Sequence, residues 1–278
     1  MGKAPNGNKR KPRRHNPVRV PDSHLGHGVK LAEQTSSKGG QVIPVLDKLD
    51  SPEVEDRRWA CAAVSSLIQN DASTRRLLQA KGVVDKLITR LSDTDEDVVA
   101  EATGSLRNLA VDGGYDMCAH IFNKNILAPL KSFVPKITAT LQEFLGASPP
   151  KNPKGLKRRV YELAENVITL FWCLSETSNK ALSAINDAKL TPFLMAFLIS
   201  RDKIPLNTVL AAAQCLYVLS DDNEPTASAI RKTQAYTSCL LGIVTSADPD
   251  TLTDSANAMA IDKPVDSEKR MNLKVLAC

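Results

Sequence analysis

Histidines are the first side chains to consider for catalysis or metal binding in this chain. There are four, and three of them (His15, His24 and His27) lie in a polar N-terminal stretch. The fourth, His120, belongs to no recognisable zinc-ligand motif. The chain also lacks the glycine-rich phosphate loops and the GxSxG nucleophile turn. The sequence therefore predicts no catalytic residue, no metal site and no cofactor, so we expect a protein that is not an enzyme.

The cysteines show no CxxC spacing, which is the usual spacing of redox and zinc sites. Their positions are Cys61, Cys118, Cys173, Cys215, Cys239 and Cys278. Reduced thiols commonly serve as small core residues in proteins of reducing compartments, and we expect that use here. The chain has no apolar run of about 18 residues and no apolar segment after its first methionine. We therefore expect neither a membrane span nor secretion.

One set of polar side chains recurs at a fixed place in four similar segments. The segments are twelve residues long, are rich in Ala, Leu and Val, and align without a gap: Trp59–Asn70, Glu101–Asp112, Glu165–Glu176 and Ala211–Asp222. Their last residues are all polar and three are acidic. A carboxylate near a helix C-terminus is opposed by the helix dipole at about 0.3–1 kcal/mol. Two interpretations stay open, namely a groove for a basic extended peptide and turn formation, which Asp and Asn favour.

The spacing of the segments predicts the architecture. They recur at steps of 42, 64 and 46 residues, which is typical of stacked helical repeats. Their small and aliphatic positions, such as Ala102, Leu106 and Leu109, form the predicted core face. Shorter helical periods precede each segment, as in Val83–Leu91, and this order of helices is the armadillo arrangement. We therefore predict an all-α protein, an armadillo/HEAT-type α-solenoid.

The same periodicity sets the expected domain boundaries. Residues 41–245 hold about four repeats, and the long 64-residue step contains a basic inserted loop near 146–158. Residues 246–270 are polar and turn-rich, so we expect another loop there. Residues 271–278 begin a further apolar helical period that stops without a polar capping face. Because solenoids need capping repeats, we expect a truncated further repeat at this end and an N-terminal fragment of a longer protein.

Positive charge is concentrated in residues 1–40. This stretch holds nine Lys and Arg residues against two acids, whereas the rest of the chain carries a net charge of −2. It has almost no apolar residues to bury, and we expect it to be disordered. The remaining part is mildly acidic, so a nucleic-acid-binding surface is not indicated.

The densest basic run, Lys9–Val18, has the composition of a nuclear import signal. The residues concerned are Lys9, Arg10, Lys11, Arg13, Arg14, Pro17 and Val18. A short basic peptide of this sort suits an acidic importin groove. The run is also similar to transportin-type signals that end in Pro-Tyr, with Val18 in place of Tyr. Contact with RNA phosphates and a solvated tail without a partner are the alternatives, and the receptor class stays open.

In armadillo folds the third helix of each repeat lines the binding groove. Positions one, four, eight and twelve of the twelve-residue segments share one helix face. The candidate groove residues on that face are Glu101, Asn108, Asp112, Glu165, Trp172, Glu176 and Asp222. Asn108 matches the armadillo LRNL motif, whose Asn amide typically pairs with the backbone of a bound peptide. Trp172 takes the same place in the next segment, where a stacking surface and partial core burial are both open.

Several motifs together resemble one family. A basic N-terminus beginning MGK, SLRNLAVDGGYDMC (Ser105–Cys118), ILAPL and ENVITLFWCLSE are similar to the symportin family of HEAT/armadillo import adaptors. The resemblance implies a chaperone for the two large-subunit ribosomal proteins that bind 5S rRNA. It also implies transport by a transportin-type importin bound to the N-terminal tail, and shuttling between cytoplasm and nucleus. LRNL alone indicates only the armadillo fold, so a generic armadillo interaction scaffold is the alternative.

Overall fold

The computed structural model describes residues 44–70, 72–146 and 153–233. The import-signal residues, the region 246–270, the region 271–278, Cys239 and Cys278 all lie outside these ranges. The described residues contain helices and turns but no strand, which confirms the all-α prediction. After a helical segment at 44–48, the helices are α1 (Val54–Asn70), α2 (Ala72–Ala80), α3 (Val83–Arg90), α4 (Glu96–Asn123), α5 (Leu127–Leu145), α6 (Pro153–Ser175), α7 (Asn179–Asn186), α8 (Thr191–Ile199), α9 (Leu206–Ser220) and α10 (Glu224–Arg231).

The four twelve-residue segments lie in α1, α4, α6 and α9, with the last two segments running a little past their helices. Each of these helices packs against the next one along the chain. Residues early in α1 contact residues early in α4, as in Arg58–Asp97, and later residues contact later ones, as in Ser65–Asn108. The two helices are therefore parallel. Stacked parallel helices at repeating intervals are the predicted α-solenoid.

Small and aliphatic side chains fill the core between these helices. Ala102, Leu106 and Leu109 are completely buried, as the periodicity predicts. The four cysteines in the described ranges are also buried and reduced, which confirms their predicted place in the core. Burial raises the pKa of the Cys61 thiol to about 12, so this thiol stays protonated and packs as a small apolar group.

The turn before α4 is fastened to the start of α1 by a buried ion pair. Arg57 donates through Nε and a terminal nitrogen to the two carboxylate oxygens of Asp93, at 2.8 and 2.9 Å. This hydrogen-bonded arginine holds the pKa of Asp93 below its usual value. Asp95 then caps α4, because its side chain accepts from the backbone N–H groups of Asp97 and Val98. Together these contacts set where the groove-lining part of α4 begins.

Helix α4 does not end in a turn after Asp112. It continues to Asn123 across a kink at Gly114, whose backbone has φ 64° and ψ −156°. Only glycine readily adopts this combination. A Cβ on the preceding Gly113 would overlap the side chain of Met117. The kink therefore requires glycine at 114, and the packing of Met117 leaves no room for a side chain at 113.

Part of the range predicted for the inserted loop is helical. Helix α5 extends to Leu145, as expected, but α6 already begins at Pro153. The predicted loop near 146–158 therefore overlaps the first turns of α6, and residues 147–152 lie outside the described ranges.

Among the described helices, none is both long and apolar enough to cross a membrane alone. Helices α7 and α8 pass on length and composition only as a pair, and they are bent by 76° at their junction. Most residues of α8 are buried in the core of the solenoid.

Candidate protein-binding groove

Three groove candidates lie on α4, two on α6, and one just after each of α6 and α9. On α4 one edge passes through Asp97, Glu101, Gly104, Asn108 and Asp112, all of them half-buried. Their spacing of three or four residues places them on one helix face. The residues between them, such as Leu106, point into the core. The half-buried state of these five residues is compatible with the predicted groove face, which stays a prediction.

A ladder of polar side chains connects three helices at the middle of this edge. Ser105 Oγ donates to the Cys61 carbonyl oxygen at 2.7 Å, and its oxygen lies 2.9 Å from Ser65 Oγ. Asn108 Nδ2 donates to Ser65 Oγ at 3.2 Å, while Asn108 Oδ1 accepts from a terminal nitrogen of Arg107 at 3.1 Å. The Asn108 amide is therefore held by neighbours, with one N–H and one oxygen lone pair remaining for a partner.

Arg107 continues the ladder to α6. Its other terminal nitrogen lies 3.7 Å from Glu165 Oε1, which is an ion pair longer than a direct hydrogen bond. The Nε atom of Arg107 is buried without a hydrogen-bond partner. Glu165, a candidate groove carboxylate, is therefore neutralised by an arginine of the chain itself.

Acidic side chains at the N-terminal end of the groove helices have basic partners. Asp97 pairs with Arg58 at 3.5 Å and with Arg159 at 3.2 Å. Glu162 accepts from Arg158 at 2.7 Å. Burial raises the pKa of Glu101, while the nearby Arg58 acts in the opposite direction. This end of the groove is therefore close to electrically balanced.

The other end of the candidate groove is acidic. Asp112, Glu176 and Asp222 form no ion pair with any Lys or Arg in the described ranges, and the side chain of Asn70 is not described. Burial raises the pKa of Glu176 to about 7, although the nearby Trp172 indole N–H by itself lowers this pKa. That N–H does not reach the geometry of a hydrogen bond. Within the described residues no group of three or more His, Cys, Asp or Glu could hold a metal ion.

Known proteins with similar sequences are armadillo-repeat transport proteins. The Armadillo/beta-catenin-like repeat family matches residues 72–111. The "Armadillo repeat protein involved in nucleocytoplasmic transport Syo2" of Schizosaccharomyces pombe is 36% identical over 232 residues, covering 81% of this chain and 33% of its own. Symportin 1 of Chaetomium thermophilum is 29% identical, covering 75% of this chain and 31% of its own. The chain belongs to the symportin family.

This symportin-family chain spans about a third of the length of those relatives. Synchronized import protein 1 of Saccharomyces cerevisiae is also similar, at 26% identity over 80% of the chain. Among solved structures, computationally designed armadillo repeat proteins for modular peptide recognition match with a TM-score of 0.52 at 13% identity, over 84% of this chain and 97% of theirs. A designed armadillo repeat protein in complex with the peptide (KR)4 matches at 0.51 and 12%, over 84% and 99%. These likenesses confirm the armadillo fold.

Trp172 lies in the core of this symportin-family solenoid. Its side chain is only 2% exposed, so its ring offers no stacking face to a partner. Contacting pairs between α1 and α4 lie 39–44 positions apart, as a 42-residue step requires. Pairs between α4 and α6 lie 58–62 apart, below the 64 of the gapless alignment. Residues 167–175 of α6 are all buried, so Trp172 belongs to a stretch of this helix that is covered on every side.

The candidate carboxylates separate into two groups along the groove. Glu101 and Glu165 lie beside arginines, whereas Asp112 and Glu176 lie at the acidic end. Asp222 is exposed in the turn after α9 and has a positive φ of 51°, which fits the turn interpretation at this position. Arg107, Ser65 and Asn166 were not predicted as groove residues. Arg107 stands within the LRNL motif, and that position was the available signal.

Proposed function

We propose that this chain is a non-enzymatic adaptor and chaperone that holds a basic segment of a client protein at the acidic end of its groove. Relatives named for nucleocytoplasmic transport and import support the adaptor role. The family resemblance indicates the clients, which are the basic large-subunit ribosomal proteins that bind 5S rRNA. The adaptor supports ribosome biogenesis by shielding the positive charge of such clients until they reach the nucleus.

The unpaired carboxylates are the observation that carries this proposal. Asp112 and Glu176 lie on neighbouring parts of the solenoid, and no described Lys or Arg forms an ion pair with them. Glu176 directly follows α6, and the free carbonyl groups at the C-terminus of that helix add partial negative charge there. A basic extended segment would gain from both sources of negative potential, and its affinity should fall as salt rises.

The N-terminal run Lys9–Val18 supplies the other half of the adaptor. It is bound by a transportin-type importin while the groove holds the client, so the chain shuttles between cytoplasm and nucleus. The basic run and the acidic end of the groove keep the two partners on separate parts of the chain. Neither a cofactor nor a membrane takes part in this scheme, and direct nucleic-acid binding is not required.

The test uses a fluorescent (KR)4 peptide and the full 278-residue chain. The double variant Asn108→Ala with Asp112→Lys removes an amide and reverses a charge at the acidic end. We expect its Kd for the peptide to rise at least about tenfold, since losing a charge-assisted contact costs about 1.5–3 kcal/mol. Glu143→Lys on the exposed side of α5 is the control and should change Kd little.

An affinity unchanged by the double variant would overturn the assignment of the groove. If wild type binds neither (KR)4 nor basic ribosomal proteins, the generic scaffold is the better account of this chain. Co-purification followed by mass spectrometry identifies the clients directly.

A further inference from the structure

Arg107 is the feature of the groove that client binding leaves unexplained. An arginine at the centre of a groove for basic segments repels its ligand. Its presence there therefore needs a separate explanation. Its side chain is 15% exposed and that of its partner Glu165 is 19% exposed, so both lie just beneath the groove surface.

The pairing of Arg107 is incomplete. One terminal nitrogen donates to Asn108 Oδ1 at 3.1 Å, the other stands 3.7 Å from Glu165 Oε1, and Nε has no partner. Arginine carboxylate pairs are strongest when two parallel hydrogen bonds of about 2.7–2.9 Å form. A buried donor without a partner is costly. Arg107 therefore loses little when it turns out of this position into water.

We propose that Arg107 is an internal competitor that occupies the Glu165 carboxylate until a basic side chain of the client replaces it. This inference rests on the proposed function and adds a specificity-determining residue to it. In the free chain the Arg107 guanidinium stands in for the client's cation at Glu165. On binding, a client Arg or Lys pairs with Glu165, and Arg107 moves into solvent.

The exchange also explains how the groove discriminates among basic segments. A client must supply a cation that pairs with Glu165 better than Arg107 does. An arginine, whose planar fork matches a carboxylate, meets that condition more readily than a lysine. The acidic end of the groove attracts any basic segment, whereas the Glu165 position selects the one whose arginine falls opposite it.

The decisive variant is Arg107→Gln, measured by titration of fluorescent (KR)4 into the full chain. Removing the competitor should tighten binding about tenfold, because a unit charge a few ångströms from a ligand cation has an effect of this order. Arg231→Gln is the matched control, since Arg231 pairs with Glu224 on the exposed surface of α10, outside the candidate groove. It removes the same charge and should change Kd less than about twofold.

The path through Glu165 is tested by the double variant Arg107→Gln with Glu165→Gln. In this double variant the tighter binding caused by Arg107→Gln should disappear, because the client's cation no longer finds a carboxylate at position 165. Glu165→Gln alone should weaken binding severalfold more than Glu224→Gln, an exposed carboxylate on α10. This variant remains informative if Arg107→Gln fails to fold.

Three results would contradict the proposal that Arg107 competes with the client for Glu165. They are a gain in Arg107→Gln no larger than in Arg231→Gln, a gain that persists in the double variant, and equal effects of Glu165→Gln and Glu224→Gln. If wild type binds (KR)4 and Asp112→Lys weakens it while one of these results appears, only the competitor fails. If neither wild type nor Arg107→Gln binds the peptide, the competitor and the proposed function fail together.

Discussion

At the scale of single residues, position along a groove helix decides what a carboxylate can do. Glu165 and Asp97 are neutralised by arginines from neighbouring helices. Asp112 and Glu176 have no such partner among the described residues. Because Glu176 is also largely withdrawn from water, its charge depends on pH near neutrality.

Replacing Glu176 by Gln should flatten the pH dependence of stability between about pH 4.5 and 7. Burial raises the pKa of Glu176 from 4.5 to about 7, so the folded state binds its proton more tightly than the unfolded state does. This contribution to stability is fully present below about pH 4.5 and is lost as pH rises through about 7. Urea unfolding at pH 5 and pH 8 should show Glu176→Gln gaining on wild type only at the higher pH. Glu162→Gln, at an exposed site, is the control, and parallel pH profiles for wild type and Glu176→Gln would contradict the prediction.

At the scale of secondary structure elements, the kink of α4 separates its groove-lining half from its second half. Gly114 supports the kink through a positive φ, whereas Gly104 lies within regular helix. A Cβ at Gly104 would meet Asn166 Nδ2 at 3.5 Å, an ordinary van der Waals distance. The backbone therefore requires glycine at 114 but not at 104.

Alanine substitution should separate these two glycines. Gly114→Ala places a side chain in a glycine-only backbone region and should lower the free energy of unfolding by about 1–3 kcal/mol. Gly104→Ala should be neutral or raise it by up to about 1 kcal/mol, because alanine loses less backbone entropy in a helix. Chemical denaturation of both variants is the measurement. Similar losses in the two would show that the kink is not what requires glycine at 114.

Helix order and the core faces were predictable because they follow from local periodicity. Ala102, Leu106 and Leu109 repeat at helical intervals, and they are all completely buried. The burial of Trp172 was not predictable, because residues 167–175 are covered on every side of α6 and helical periodicity alone does not report how many sides are covered. The Arg107–Glu165 pair joins residues 58 positions apart on different helices. Such contacts depend on how helices pack, which periodicity does not report.

At the scale of the whole molecule, charge is divided between two regions. Residues 1–40 carry a balance of +7, and the rest of the chain carries −2. Under the proposed function a basic client and the basic tail would repel each other, and each would be attracted by an acidic surface on a different protein. Import and client binding should therefore be separable functions of this chain.

Deletion of residues 1–20 should abolish nuclear entry and leave peptide binding intact. The deletion removes the whole run Lys9–Val18 but none of the groove, and losing positive charge should leave the affinity for (KR)4 unchanged or slightly higher. Nuclear accumulation of a fluorescent fusion and titration with the peptide measure the two functions on one variant. Replacing Lys30 and Lys38 by Ala is the control, since these cations lie in the same tail outside the signal. Loss of import together with loss of peptide binding would instead assign the client site to the tail, and normal import by the deleted chain would exclude Lys9–Val18 as the signal.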